Sequence, residues 1–399
     1  MKHNTHMLAI KDIERLKREM IKIGADTAGI SLMLPKGELL TIKVERVFLK
    51  AALILKQEML ARGGEAVVNR NVASLEQEIS DILLIGTSGQ YMQLIKKLKT
   101  QPFGLPLIAN ELTQVIECRR DGHRRRVIKC NGKELLIGNK TLVVGILNLT
   151  PDSFSDGGKF NCEEGAVRHA LAMEASGADV IDIGGESTRP GHIPITVGEE
   201  LRRIMPVVEC LNKRLRIPIS VDTSKSEVAE QVLAVGANMI NDVWGLKNDP
   251  KMAAVIARHK VPVVIMHNRK VASYGSLISD IIADLRESVD IALAAGIEHD
   301  KIILDPGIGF AKSYQENLNV MYRLDEIVNL GYPVMLGSSR KSIIGYTLDL
   351  DKSQRLEGTI ATVCQGISKG CKLVRVHDVL EVKRAVVMMD TMNDVEERE

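Results

Sequence analysis

The amino-acid sequence predicts an α/β protein: a (β/α)8 TIM barrel preceded by a small N-terminal α/β unit. From Thr141 onward, eight short apolar segments alternate with segments in which apolar residues recur at helical spacing. Eight such strand–helix pairs over about 250 residues have the length of a barrel. Polar residues also follow almost every apolar segment, as they do in barrel enzymes. A doubly wound open sheet is the alternative, but the first strand–helix turn lacks the glycine pattern of that fold.

Composition limits the class of protein. With 399 residues, 45% hydrophobic and 26% charged, the chain has the composition of an ordinary globular protein with at least one large core. No apolar run reaches ~18 residues, and charges occupy the place of a signal peptide's apolar region. The net charge of +2 does not indicate a nucleic-acid partner. The six cysteines lie far apart, which predicts neither zinc nor disulfides and fits a cytoplasmic location.

The sequence divides into residues 1–133, the small α/β unit, and residues 134–399, the barrel. The predicted helices of the first unit are Ile10–Ile23, Lys50–Arg62 and Gln90–Leu98, and its strands are Leu39–Phe48, Ala66–Val68 and Ile82–Gly86. The turn at residues 86–89 (GTSG) either caps the following helix or binds an anion through its amides. The basic run of residues 119–126 is interpreted as a solvated linker.

The first unit has no sequence pattern that indicates catalysis. It contains no phosphate-binding loop, metal-binding cluster or paired acidic motif, so a second enzyme activity is not predicted. A structural role is expected instead, as a cap or an assembly element, with a regulatory role as the alternative.

The predicted barrel strands are short and apolar on both faces, which is typical of parallel strands covered by helices. They are Val143–Leu149, Val180–Gly184, Ile219–Asp222, Met239–Val243, Val263–His267, Ile302–Asp305, Val334–Gly337 and Leu373–His377. Helical spacing between them predicts, among others, Glu164–Ser176, Glu199–Asn212, Lys225–Val235 and Arg355–Lys369.

Polar residues lie at the carboxyl end of each predicted strand. In a barrel these ends open at one mouth, where binding and catalytic groups are found. One buried Asp could be structural, but polar residues at all eight ends predict a shared site. In strand order they are Asn148 and Asp152; residues 186–190 (ESTRP); Asp222; Asn241 and Asp242; Met266 and His267; Asp305; residues 338–341 (SSRK); and Arg375 and His377.

The chemistry of these residues suggests two kinds of ligand group. Asp222, Asn241 and Asp305 offer carboxylates and an amide, which can pair with the N–H and amine edge of a flat heterocycle. Arg375 and His377 lie two residues apart on one strand, so their side chains point the same way and suit a phosphate. The alternative for Arg375 is a salt bridge to a neighbouring carboxylate.

Glycine-rich loops near the mouth could close over a second, aromatic substrate. Phe154, Arg189, Pro190 and Phe310 lie on such loops. Ordering a loop costs ~1–2 kcal/mol per residue, which bound ligands must offset. The second substrate is therefore expected to bind well only after the first.

The motifs at these strand ends resemble the dihydropteroate synthase family. They are GILNLTPDSFSDGG, DVIDIGGESTRPG, SVDTSK, MINDV, ILDPGIGF, LGSSRKSIIG and LVRVHDV, in the family's order, between about Thr141 and Met392. The resemblance implies condensation of 6-hydroxymethyl-7,8-dihydropterin diphosphate with 4-aminobenzoate, giving 7,8-dihydropteroate and pyrophosphate in folate biosynthesis. It also implies a requirement for Mg²⁺ and a homodimer formed through the last barrel helices.

The resemblance also implies roles for individual residues, and it implies that pyrophosphate leaves before the arylamine attacks. The pterin-binding positions are Asp222, Asn241, Met266, Asp305 and Lys341. The diphosphate positions are Asn148, Arg375 and His377, with Asn148 also contacting Mg²⁺. The two loops that order around the second substrate carry Phe154, Asp156, Thr188, Arg189 and Pro190. The aminobenzoate pocket is completed by Phe310, Lys341 and Ser342. The positions with catalytic roles are Asn148, Asp222, Lys341, Arg375 and His377.

Two of these positions give a first expectation. Arg375→Ala or His377→Ala is expected to reduce turnover and to leave pterin binding nearly intact, because both residues are placed at the diphosphate end of the site.

Two departures from the family pattern and one rival function remain. Residues 266–270 read MHNRK where many relatives continue MHMQGTP, which changes one rim loop, and the first unit is absent from the compact form of the family. The rival is a barrel that presents methyl-folate to a corrinoid protein, or a non-catalytic pterin-binding relative. Such proteins need the heterocycle-binding residues but not the diphosphate donors, so Arg375, His377 and Lys341 favour the synthase.

Overall fold

The computed structural model describes residues 3–10, 13–72, 78–121, 125–138, 140–149, 159–187 and 193–398. The chain forms two compact units, residues 1–117 and residues 118–399. Within the described ranges, no helix is long and apolar enough to cross a membrane.

The first unit is a three-stranded antiparallel sheet with helices packed on it. Its elements are α1 (Ile13–Ile23), α2 (Thr27–Gly37), β1 (Leu39–Phe48), α3 (Leu49–Leu60), β2 (Glu65–Val68), a 3-10 turn (Arg70–Val72), β3 (Ile79–Thr87), α4 (Ser88–Leu98) and α5 (Leu105–Asp121). The strand order is β1-β3-β2. Leu55, Leu84, Tyr91 and Leu94 form the centre of its core and are fully buried. The sequence pattern missed α2, which contains Pro35, and α5, which includes part of the basic run interpreted as a linker.

The turn at residues 86–89 is a helix cap. The amide of Gln90 donates to Thr87 Oγ1 at 3.3 Å, and the amide of Thr87 donates to Gln90 Oε1 at 2.7 Å. This reciprocal capping box uses the amides that an anion would need. The sequence left two alternatives for this turn, a helix cap or an anion site. The structure shows the helix cap.

The second unit contains a two-stranded hairpin, eight barrel strands and the helices around them. Its strands are β4 (Arg126–Cys130), β5 (Lys133–Ile137), β6 (Leu142–Asn148), β7 (Val180–Gly184), β8 (Ile219–Asp222), β9 (Met239–Asp242), β10 (Val263–Met266), β11 (Ile302–Asp305), β12 (Met335–Leu336) and β13 (Leu373–Val376). Its helices are α6 (Lys159–Ala175), α7 (Val197–Asn212), α8 (Ser226–Ala234), α9 (Met252–His259), α10 (Leu277–Ala294), α11 (Tyr314–Tyr322), α12 (Leu324–Val328), α13 (Ser342–Leu348), α14 (Leu356–Ser368) and α15 (Val379–Arg398), with 3-10 turns at His299–Lys301 and Lys352–Gln354.

The barrel strands confirm the predicted fold. The eight-stranded sheet runs β11-β10-β9-β8-β7-β6-β13-β12, and its neighbouring strands pair in parallel. A parallel bridge between Leu304 of β11 and Val334, directly before β12, joins the two ends of that order. All eight strands therefore point their carboxyl ends to one mouth.

The hairpin β4–β5 forms the floor of the barrel. Ile128, Cys130, Leu135 and Ile137 are buried together with the first residues of several barrel strands, among them Leu142. Because these side chains pack into the barrel, the compact units divide at residues 117 and 118. The sequence placed the division at residues 133 and 134, inside this hairpin.

Candidate active site

Strand register brings three predicted site residues into one layer at the barrel mouth. Asn148 of β6 pairs with Gly184 of β7, Gly184 pairs with Asp222 of β8, and Asp222 pairs with Asn241 of β9. A Cβ placed on Gly184 would lie 3.5 Å from Asn148 Oδ1 and 3.8 Å from Asp222 Cβ. Asn148 and Asp222 therefore lie on either side of Gly184 in the same layer.

A pocket opens among these strand ends, and the space between its walls, open solvent included, is about 350 Å³. The lining residues are Asp222, Asn241, Val243, Met266, Asp305, Ile308, Phe310, Gly337, Lys341 and Arg375. Apolar walls around a few charged and amide groups suit a flat, polar-edged ligand.

Arg375 is held by two buried carboxylates. Its Nε donates to Asp182 Oδ2 at 2.6 Å, and its Nη2 donates to Asp222 Oδ2 at 3.0 Å. The side-chain amide of Asn241 also donates to Asp182 Oδ2, at 3.1 Å. The salt bridge that the sequence left as an alternative for Arg375 is therefore present. Asp182, which the sequence argument missed, is 1% exposed and lies in the middle of β7.

One oxygen of each of these carboxylates remains for a further partner. Among the described residues, Asp182 Oδ1 and Asp222 Oδ1 are buried without a hydrogen bond. A buried acceptor left unpaired costs ~1–3 kcal/mol. Asp222 lines the pocket, so a ligand N–H donor at its Oδ1 would remove that cost.

Burial dominates the ionisation of the pocket carboxylates. It raises the pKa of Asp222 to about 7, against the opposing effect of Arg375. It also raises the pKa of Asp305 to about 6, opposed by the Gly307 amide and Lys341. Burial lowers the pKa of Arg375, but Asp182 and Asp222 outweigh it, so the pKa rises and the guanidinium stays charged. The pocket thus combines a fixed cation with carboxylates that titrate near neutral pH.

The loops after β11 and β12 supply an aromatic ring and an ammonium. Lys341 Nζ lies 4.1 Å from the centroid of the Phe310 ring. Arg355 donates to the carbonyl oxygens of Arg340 and Lys341 at 3.2 and 3.3 Å, which fixes the backbone before α13. Arg340, at a φ of 56°, forms a two-pronged ion pair with Asp378.

His377 follows β13 and is tied to the loop after β12. Its Nδ1 lies 3.0 Å from Ser339 Oγ, and its amide donates to the same hydroxyl at 3.2 Å. Burial, followed by the charge of Arg375, lowers the pKa of His377 to about 3. The imidazole is therefore neutral at physiological pH, and it can offer one N–H to a ligand.

The start of the loop after β7 is anchored by a lysine between two glutamates. Lys225 Nζ contacts Glu200 Oε2 at 2.5 Å and also pairs with Glu186. Glu186 Oε1 accepts from the amide of Ile195 at 3.3 Å. The two described ends of the loop are thereby held close to each other. Neither Lys225 nor Glu200 had a predicted role from the sequence.

The structure gathers most of the predicted site residues at the mouth. The pocket is lined by Asp222, Asn241, Met266, Asp305, Phe310, Lys341 and Arg375. Asn148 and His377 lie at the neighbouring strand ends, and Ser342 is exposed at the first position of α13. The predicted loop residues Phe154, Asp156, Thr188, Arg189 and Pro190 lie outside the described residues.

The donor set at the mouth limits how a metal could bind. Within the described ranges, no group of three or more His, Cys, Asp or Glu residues could hold a metal ion. Mg²⁺ prefers oxygen ligands and is commonly held by one or two protein groups together with substrate phosphates. The side-chain amide oxygen of Asn148, at the carboxyl end of β6, could be one such protein ligand.

Comparisons with known proteins point to one family. Residues 144–377 match the family described as "Pterin binding enzyme". The dihydropteroate synthase of Bacillus subtilis is 54% identical over 267 residues, which cover 67% of this chain and 94% of the relative. A crystal structure of the Clostridium difficile dihydropteroate synthase, obtained in the presence of pteroic acid, has a TM-score of 0.63 and 49% identity, covering 64% of this chain and 98% of that chain.

A third similarity includes the first unit. A probable bifunctional folylpolyglutamate synthase/dihydropteroate synthase of Halobacterium salinarum is 39% identical over 365 residues, which cover 90% of this chain and 43% of the relative. That alignment is longer than residues 118–399, so it extends into the first unit.

Proposed function

Because the chain belongs to the dihydropteroate synthase family of pterin-binding enzymes, we propose that it joins 6-hydroxymethyl-7,8-dihydropterin diphosphate to 4-aminobenzoate. The products are 7,8-dihydropteroate and pyrophosphate, and the protein is a transferase. The observation that carries this proposal is the pocket in which Asp222, Asn241 and Asp305 surround a space beside Arg375 and Lys341.

The pterin would bind through its hydrogen-bonding edge. Asp222 and Asp305 present acceptors to the ring N–H and the exocyclic amine, and the amide of Asn241 can donate and accept beside them. Met266, Val243 and Ile308 supply apolar contacts to the ring faces. A desolvated site strengthens these charge-assisted bonds and rejects flat ligands that lack the donors.

The diphosphate would leave toward the cationic side of the mouth. The C–O bond to the diphosphate breaks and a C–N bond to the arylamine forms, with the amine proton released to solvent or pyrophosphate. Arg375 supplies a fixed positive charge, and neutral His377 can donate one hydrogen bond as charge develops on the leaving oxygen. Asn148 would hold Mg²⁺ together with the diphosphate, and the ion would stabilise the leaving group's charge. No protein nucleophile is required.

The aminobenzoate would lie over the Phe310–Lys341 pair. The ring of Phe310 and the alkyl stem of Lys341 offer faces for an aromatic ligand, and the ammonium of Lys341 attracts its carboxylate. Ser342, exposed at the first position of α13, can donate a hydroxyl hydrogen bond to the same carboxylate. This arrangement places the two substrates on neighbouring parts of one mouth.

We also propose that the enzyme is a homodimer formed by the last barrel helices. Large apolar side chains are exposed on α13 and α15, with Tyr346 at 74%, Val387 at 52% and Met388 at 58% exposure. Leu348 and Leu380 extend the same set. A partner subunit would remove this apolar surface from water.

Product formation tests the proposed function. Incubation of the protein with the pterin diphosphate, 4-aminobenzoate and Mg²⁺ is expected to yield dihydropteroate and pyrophosphate in a 1:1 ratio. Chelation of Mg²⁺ is expected to slow turnover by at least about 100-fold, because the leaving group then keeps its charge unscreened. Chromatography of the folate product and a coupled pyrophosphate assay measure both. Pterin binding without any product would contradict the proposal and favour a carrier of the methyl-folate type.

The pH dependence of pterin binding follows from the raised carboxyl pKa values. Protonation of Asp305 and Asp222, with pKa values of about 6 and 7, removes acceptors that the pterin edge needs. Pterin affinity is therefore expected to fall at least about tenfold between pH 8 and pH 5, as measured by isothermal titration.

Thermal unfolding at the same pH values provides the control. A carboxyl group whose folded pKa is raised contributes stability that is lost as pH rises through that pKa, so these two groups do not destabilise the fold at pH 5. Weaker binding at pH 5 with a melting temperature no lower than at pH 8 supports the assignment. Pterin affinity that does not vary over this range would contradict it.

A further inference from the structure

The loop after β11 has a strained backbone that lies close against β10. Gly307 and Gly309 have φ values of 67° and 82°, and Ala311 has a φ of 44°. A Cβ on Gly307 would lie 2.0 Å from the carbonyl oxygen of His267, so only glycine fits there. The same loop presents Ile308 and Phe310 to the pocket. A non-glycine residue in the left-handed region persists only where its surroundings hold it.

The side chain of Lys312 holds this loop through two of the loop's carbonyl groups. Its ammonium lies 2.8 Å from His267 Nδ1, 3.0 Å from the carbonyl oxygen of Gly307 and 3.2 Å from that of Phe310. An ammonium has three N–H donors, and here each has one acceptor. Lys312 thus connects the two ends of the segment that carries Ile308 and Phe310.

The third acceptor, His267, connects the loop to the end of β10, the strand that pairs with β11. His267 is buried and directly follows Met266, a pocket residue. Its Nε2 lies 3.0 Å from Asp284 Oδ2, and Asp284 also accepts from Arg269 Nε at 2.5 Å. Because Nδ1 faces an ammonium and Nε2 faces a carboxylate, the proton lies on Nε2. The ring is therefore fixed in the tautomer that accepts from Lys312.

We propose that Lys312 is a positioning residue for the second substrate of the reaction assigned above, on which this inference rests. Its ammonium joins the loop of Phe310 to His267, and so fixes where Phe310, a residue of the aminobenzoate site, lies beside β10. Lys312 does not line the pocket. It acts through the loop and makes no contact of its own with the ligand.

The charged groups around Lys312 influence its protonation state, and that state affects how tightly the loop, and with it 4-aminobenzoate, is held. Asp305 of β11, Glu316 of α11, Arg269 after β10 and Asp284 of α10 act on it, together with the neutral ring of His267. Burial lowers the pKa of Lys312 to about 7. A neutral amine has two N–H donors for three acceptors, so one of the three contacts is lost above that pH. The loop should then be held less firmly, and aminobenzoate should bind more weakly.

Loss of folded protein does not account for such a change. The folded pKa of Lys312 lies below that of an unfolded lysine, so the unfolded chain binds more protons above neutral pH. The contribution of Lys312 to the free energy of unfolding therefore rises with pH. A KM for aminobenzoate that increases from about pH 6.5 to 9 would thus reflect the loop.

The test compares Lys312→Met with Lys301→Met in the full-length enzyme. Lys301 also has little exposed surface and donates to a carbonyl oxygen, that of Lys260 at 2.9 Å, but it precedes β11 at the opposite end of the barrel. Lys312→Met is expected to raise the aminobenzoate KM about 10- to 100-fold, because it leaves three acceptors unpaired. Its kcat is expected to change less than about threefold, and its pterin KM is expected to rise less than its aminobenzoate KM, because this loop contributes Ile308 alone to the pterin contacts assigned above. Lys301→Met is expected to leave both KM values unchanged.

The pH profile of the aminobenzoate KM completes the test. In the wild type it is expected to rise at least about threefold between pH 6.5 and 9, and in Lys312→Met it should be flat. An unchanged KM in Lys312→Met, an equal increase in Lys301→Met, or a flat wild-type profile would overturn the inference. The wild-type profile decides the matter even if Lys312→Met does not fold. A wild type that forms no dihydropteroate would instead contradict the proposed function.

Discussion

Replacement of Asp305 by asparagine is expected to weaken pterin binding about 30- to 160-fold. Asp305 ends β11 and is 4% exposed, and its Oδ1 accepts from the amide of Gly307 at 2.7 Å. In the variant, the amide oxygen must stay toward Gly307 to keep that bond. The side-chain NH2 then faces the pocket, where the pterin edge also presents donors. At a desolvated site this mismatch should cost ~2–3 kcal/mol, or about 30- to 160-fold in affinity.

Isothermal titration with an uncharged pterin measures this effect apart from the diphosphate. Asp179→Asn is a suitable control, because Asp179 also accepts from a backbone amide, that of Val143 at 2.9 Å, but precedes β7 at the amino end of the barrel. The control variant should lose stability and keep its pterin affinity. If Asp305→Asn bound pterin as tightly as the wild type, the heterocycle site would lie elsewhere.

Replacement of Arg375 by methionine is expected to destabilise the barrel and to impair pterin binding as well as turnover. From the sequence alone, loss of Arg375 was expected to spare the pterin. The structure changes that expectation, because Arg375 is the ion-pair partner of Asp182 and Asp222. Breaking a buried ion pair by removing one partner costs ~3–5 kcal/mol. The melting temperature should fall by about 5–15 °C.

A double-mutant cycle separates the ion pair from other effects of the substitution. Asp182→Asn removes one of the uncompensated charges, so the double variant Arg375→Met/Asp182→Asn should recover part of the lost stability. His377→Ala serves as a control at the same strand end, since it loses the hydrogen bond between the imidazole and Ser339 Oγ and keeps the one from its backbone amide. It should reduce turnover with little change in melting temperature or pterin affinity. Additive losses in the double variant would show that Arg375 and Asp182 are not coupled.

The barrel could be predicted from the sequence because its strands are buried on both faces and leave short, uninterrupted apolar runs. β7, β8 and β11 begin and end where the sequence predicted. Site residues such as Asp222 and Asp305 followed from the same pattern, since polar residues after parallel strands meet at one mouth. The family motifs, and not the pattern, supplied the identity of the substrates.

Contacts between distant parts of the chain could not be predicted in this way. Asp182 is separated from Arg375 by 193 residues, and its only signal was a charge in the middle of an apolar strand. The contact between Lys312 and His267 depends on the backbone path of a strained loop, which no periodicity records. The predicted division at residues 133 and 134 cut the floor hairpin because no strand was predicted between Gln90–Leu98 and Val143–Leu149.

A crystal structure of the protein with 6-hydroxymethyl-7,8-dihydropterin bound tests the central claim most directly. The expected result places the pterin edge within hydrogen-bonding distance of Asp222, Asn241 and Asp305, with a donor on the unpaired Asp222 Oδ1 and with Met266 against the ring. A pterin located outside this pocket, or one that leaves Asp222 Oδ1 and Asp305 without a ligand donor, would contradict the account.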